Sequence, residues 1–178
     1  MGEEQRVYGR KEKDEMIIKK KVRPLPTEEY LKEEEGHWEK KLPENYRKFL
    51  LEYNGGIPVE CSFMYNKHEY MVERFLSVLI DHLDNPLGYY DIEVITTQIG
   101  GRLTDEPDEY GLQKIPIAVL FAGDFVCLDY KENLENPSVC IWYHDESSLF
   151  KPFVKKIANN FDEFIDMLYI PIIPNDLF

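Results

Sequence analysis

Three cysteines (Cys61, Cys127, Cys140) and four histidines (His37, His68, His82, His144) are the residues best suited to nucleophilic, acid–base or metal chemistry. A cysteine–histidine hydrolase needs a thiol and an imidazole within hydrogen-bond reach, and a thiol whose pKa is lowered. Cys127 and Cys140 fall inside apolar runs that read as strands, where a small thiol simply packs. His144-Asp145-Glu146 ends one such run. Sites collect at strand ends, but so do polar residues that lead into a turn, here at Ser147. A metal centre needs three or four ligands at recognisable spacing. The histidines are scattered, with no HxH or HxxxH pair, and the cysteines form no CxxC. No catalytic residue, metal or cofactor is expected.

Carboxylates and aromatics offer a different chemistry, that of binding. Tyr89-Tyr90-Asp91, the loop Asp105–Tyr110 with its carboxylates Asp105, Glu106, Asp108 and Glu109, and Trp142-Tyr143 combine aromatic anchors with negative charge. Binding hot spots favour Tyr and Trp, and carboxylates select a cationic partner. Each group has a plainer alternative: core packing for Trp142, a solvated turn for the 105–110 loop. Asp124 and Asp129 flank the second strand of a predicted hairpin. Either they face a basic partner, or Asp124 shapes the turn and Asp129 closes an apolar face at its rim or bonds a backbone N–H.

The charge balance points the same way. Thirty-four Asp and Glu against 21 Lys and Arg leave a net charge of −13. The excess acidity lies beyond residue 23, since residues 1–23 alone are net basic. Such a surface repels phosphate backbones, which disfavours nucleic acid and favours a basic protein partner. Its plainer use is solubility. No apolar run reaches the roughly 20 residues of a membrane span, and MGEEQRVYGRKEKDE lacks a signal peptide's apolar segment. An odd number of cysteines suits reduced thiols, so a cytoplasmic location is expected.

The elements that must position these residues are legible from periodicity. Residues 1–26 read as an N-terminal arm, disordered in part or contributing an edge strand near Met16–Leu25, and residues 27–178 as one domain. Thr27 caps a helix through about Glu35 that Gly36 ends. In LPENYRKFLLEYNGG, Tyr46, Phe49, Leu50 and Tyr53 recur on one face, predicting a helix over 43–53 stopped by Asn54-Gly55-Gly56. Strands are expected at 59–65 and 70–80, a short helix at 91–99, and strands at 115–121, 125–130 and 138–144. A closing amphipathic helix spans 160–169, followed by an extended, proline-containing tail. The order argues an α+β fold, a mostly antiparallel sheet covered by helices.

Several of these segments resemble one family. Leu42 to Leu50, LP-E-x-Y-x-x-F-L, ended by Asn54-Gly55-Gly56 and followed by Pro58, looks like the signature of the SUKH superfamily in its Smi/Knr-type branch. Ile115-Pro116-Ile117-Ala118, Gly123-Asp124 with Cys127-Leu128-Asp129, and Pro137 through Trp142-Tyr143-His144-Asp145 resemble its later strands, in order, over roughly 27–168. Val119-Leu120-Phe121 departs from the pattern by making the following loop more apolar. The resemblance implies an α+β fold without established catalysis. For bacterial members it implies an immunity protein that binds and neutralises a cognate toxin, often a nuclease. For fungal relatives it implies regulation through endogenous partners, which leaves an intracellular scaffold as the alternative and a cysteine/histidine hydrolase as a distant third.

Overall fold

The computed structural model describes residues 16–108 and 111–172. Its centre is a six-stranded antiparallel meander, and its helices and loops are arranged by what that sheet must bury. Strand β1 (Ile18–Lys19) pairs with β2 (Ile57–Pro58) in a small separate ladder. The main sheet runs in sequence order: β3 (Ser62–Tyr65), β4 (His68–Phe75), β5 (Lys114–Leu120), β6 (Phe125–Asp129), β7 (Ser138–Trp142) and β8 (Val154–Ala158). Four helices accompany these strands: α1 (Glu28–Trp38), α2 (Glu44–Tyr53), α3 (Ile92–Ile99) and α4 (Phe161–Met167).

The two faces of the sheet are covered by different material. Register places Phe75, Ala118, Val126 and Ile141 side by side on one face. There α2 and α4 supply an aromatic layer, in which Phe49 lies 4.8 Å from Phe75 and 5.7 Å from Phe161, ring centre to ring centre. The opposite face carries Phe125, Cys127, Trp142 and Cys140. It is closed by α3, which packs on β5, and by the turn after α3, whose Arg102 carbonyl accepts from Trp142 Nε1 at 2.8 Å. With both faces covered, the central strands read as unbroken apolar runs and not as alternating ones.

Local rules explain most element ends. Thr27 accepts from the Tyr30 N–H and caps α1. The helix does not stop at Gly36 as expected but continues to Trp38, ending on a left-handed Glu39. A Cβ at Gly36 would meet nothing, so that glycine weakens the helix without breaking it. Tyr46, Phe49, Leu50 and Tyr53 are all buried along α2, as their spacing demands. Gly55 adopts φ +81 where a Cβ would sit 2.5 Å from the Leu76 carbonyl oxygen, so this position takes only glycine. The preceding Asn54 does more than end the helix: its buried amide donates to the Pro24 and Val78 carbonyls and accepts from the Val78 N–H.

The strand expected at 70–80 ends at Phe75; Leu76 still donates to the Ile117 carbonyl, and then Val78 and Leu79 turn to Asn54 and Asp91. The strand expected at 59–65 is likewise shorter, and Asn66-Lys67, both with positive φ, form a two-residue turn into His68. Strand β8 was not foreseen: VKKIA is short and has two adjacent lysines, the composition of a blunted sheet edge. Ile18 and Val22 are buried, so the inner end of the N-terminal arm belongs to the folded body. Residues 1–15 of that arm, and the tail beyond 172, lie outside the described residues.

Candidate binding surfaces

The residues singled out from sequence fall in three separate places. Strand β6 runs from beside Asp124 to Asp129, and at about 3.4 Å per residue its ends lie well over 10 Å apart. Asp124 and Asp129 therefore belong to opposite ends of the sheet.

At one end, the turn between β5 and β6 joins the β3–β4 hairpin around a hollow of about 550 Å³ lined by Tyr70, Met71, Phe121 and Asp124. Asp124 accepts from the His144 N–H at 2.8 Å, and burial raises its pKa. It thus ties the β7 end to the turn. Of Val119-Leu120-Phe121, the first two belong to β5, where Leu120 is buried, and only Phe121, 75% exposed, stands in solvent.

At the other end, Asp129 pairs with the buried Lys114 ammonium at 3.5 Å and accepts from the Lys131 N–H. It closes its apolar face at the rim and bonds a backbone N–H, the two structural roles left open from sequence. Asp105 accepts from the Lys131 ammonium and from Gln113, and the Lys131 hydrogen bond in particular holds its pKa below the ordinary value. Glu106 and Asp108 are exposed beside it. Glu109 and Tyr110 lie outside the described residues.

The third place is the shoulder formed by α3 and the segment before it. Asp91 caps α3: Oδ1 accepts from the Glu93 and Val94 N–H groups, and Oδ2 accepts from the Leu79 N–H at 2.7 Å. It is 2% exposed, and burial pushes its carboxyl up to about 6. Two residues offered as partner contacts are therefore corrected. Asp91 is spent on three backbone donors, and Trp142 is fully buried beneath Arg102. Neither presents a surface to a partner. Tyr89 is 58% exposed and packs against Tyr90, whose other neighbour is the Arg74 guanidinium at 4.7 Å.

Beside α3 opens a hollow of about 560 Å³ lined by His82, Leu83, Tyr89, Glu93, Val94 and Thr97. Gly88 makes it possible, since a Cβ there would lie 1.8 Å from the His82 carbonyl oxygen. One ligand atom each from His82, Asp91 and Glu93 lies within 4.8 Å of the others. This grouping was missed from sequence because its members come from a loop, a cap and a first helical turn. One signal was available: no lysine or arginine occurs between Arg74 and Arg102, whereas Asp81, Asp84, Asp91 and Glu93 do.

The residues suited to catalysis are not assembled. Cys127 and Cys140 face each other across β6 and β7, both buried, and burial pushes the Cys127 thiol well up. His144 is exposed and pairs with Asp145. Among the described residues no cysteine–histidine hydrogen bond forms.

A sequence model of the SMI1 / KNR4 family (SUKH-1) matches residues 25–167, the whole span from α1 to α4. The chain belongs to the SMI1/KNR4 family (SUKH-1). No curated protein and no solved structure matches it. The family's LP-E-x-Y-x-x-F-L segment is α2 and its Asn-Gly-Gly corner is the Asn54 tie. Its three later motifs are β5, the β5–β6 turn with β6, and β7. Among the described residues, no helix is long and apolar enough to cross a membrane.

Proposed function

We propose that this SUKH-1 chain is a cytoplasmic immunity protein of a bacterial toxin system, acting by stoichiometric binding and occlusion of a cognate basic toxin. The observation that carries this reading is the family membership over residues 25–167. The net charge of −13 supports a cationic partner, since a toxin that acts on nucleic acid must itself present positive charge. Opposed fields speed encounter and fix orientation, so an acidic inhibitor suits a nuclease. A binding role without turnover is supported by Cys127, whose burial works against the thiolate a nucleophile needs.

The test is co-expression. The product of the neighbouring gene should kill a host cell when expressed alone and be tolerated when this chain is present. Raised ionic strength should weaken the complex, mainly through slower association. Continued killing in the presence of the folded chain would refute the reading.

A further inference from the structure

Most of the exposed apolar side chains of the α3 shoulder come from one loop. Ile80, Leu83 and Tyr89 are 65%, 87% and 58% exposed, an unusual concentration for a region that only needs to be wet. Asp81 and Asp84 stand among them and Glu93 projects from the first turn of α3. On its far side α3 borders a second, smaller hollow of about 360 Å³, lined by Glu34 and His37 of α1 and again by Glu93 and Thr97. Glu93 thus stands on the ridge between two depressions. Arg74, the cation beside Tyr90, is engaged by the Tyr90 ring and the Lys20 carbonyl. Among the described residues neither the Glu93 carboxylate nor the His82 ring has a hydrogen-bonding or ion-pair partner of its own.

We propose that this shoulder docks a basic segment of the partner protein, and that one lysine or arginine side chain of that segment enters between His82 and Glu93, above Asp91. The proposal rests on the binding reading above and names its face. Charge complementarity selects the occupant: four carboxylates lie between Arg74 and Arg102 without one lysine or arginine. Glu93 and His82 make the contact, and Asp91 adds its charge from beneath. Leu83 and Tyr89 supply the apolar anchors that exclude water around a central ion pair. A partner lying across the α3 ridge can fill both hollows at once.

Two measurements test this. By calorimetry against the neighbouring gene's product, Tyr89→Ala, Glu93→Gln and Glu93→Lys should each weaken binding at least about tenfold. Phe121→Ser, at the far hollow, should bind like the parent. Each substituted residue is exposed, and thermal melts establish that the variants fold. If the parent binds but the shoulder variants bind equally well, or Phe121→Ser is the damaging change, the proposal falls while the immunity reading stands. If the parent does not bind that product, the immunity reading falls, and a blocked arginine–leucine peptide followed by amide chemical shifts decides the face. Shifts confined to residues 82–98, lost in Glu93→Lys and absent with a glutamate–leucine peptide, support it. Shifts elsewhere, or none, overturn it. So does Zn²⁺ bound at His82 and Glu93 that blocks the peptide, or a dimer that Leu83→Asp dissociates, because the occupant is then a metal ion or a second copy.

Discussion

The acidic loop and the α3 shoulder look alike in the sequence, each a cluster of carboxylates beside an aromatic, yet they differ in what has become of the charge. In the loop, Asp105 is answered by Lys131 and Gln113, and its pKa falls. In the shoulder, burial raises the Asp91 pKa although three backbone N–H groups pull it down, and among the described residues no lysine or arginine pairs with it. Glu93 beside it has no counter-ion among the described residues. A carboxylate already paired within the chain offers little to a partner. An unanswered one near exposed apolar anchors offers a great deal. Counting acids along a sequence cannot separate the two cases.

The largest effect should come from removing the shoulder's cap. Asp91→Ala leaves the buried Leu79 N–H and two first-turn N–H groups of α3 without their acceptor. Near pH 4, close to the ordinary carboxyl value, where relief of a buried charge enters little, urea unfolding should show a loss of about 2–4 kcal/mol. Loss below about 1 kcal/mol would mean that water reaches these donors and that Asp91 is not the interior residue described.

The pH profiles of the two regions should then run in opposite directions. Asp91 holds its proton more tightly folded than unfolded, about 6 against 3.8. Its contribution is fully present below the unfolded value and lost as pH rises through the folded one, an amplitude of about 3 kcal/mol. The advantage of the parent over Asp91→Asn should therefore shrink by up to that amount between about pH 4 and about pH 7. Asp105 behaves oppositely, because its depressed pKa gives stability that is lost on acidification. Its side chain is a third exposed, so the parent's advantage over Asp105→Asn should grow with pH by less than about 1 kcal/mol. Parallel profiles would erase the distinction between the regions.

Elements with a strong period were legible: the α2 face, the β5–β6 hairpin, and Asp91 at the start of α3. What sequence could not give was the fate of single polar groups. Trp142 reads as core before it reads as an anchor, and the Arg102 turn lying over it decides for the core. The Asn54 amide reads as a helix stop because its partners, Pro24 and Val78, are 30 and 24 residues away. Strand β8 escaped because an edge strand needs only one apolar face, and Lys155-Lys156 conceals the alternation. The α3 hollow escaped because a loop, a cap and a helical turn build it, and no local period links them.

The smallest effect bears most directly on which acidic region is a docking face. Lys131→Met removes the ammonium that answers Asp105, at a site where both side chains are partly solvated. Thermal unfolding should change by less than about 1 kcal/mol, the usual size of an exposed ion pair. Carboxyl NMR titration should show the Asp105 pKa climbing back toward its ordinary value, because its largest lowering cause is the Lys131 hydrogen bond. The same variant makes the loop more negative without touching the shoulder. If a basic partner docks on the loop, affinity must rise as the unanswered carboxylate becomes available. If it docks on the α3 shoulder, affinity should stay within about threefold of the parent, with any change confined to association at low salt, where long-range attraction is least screened.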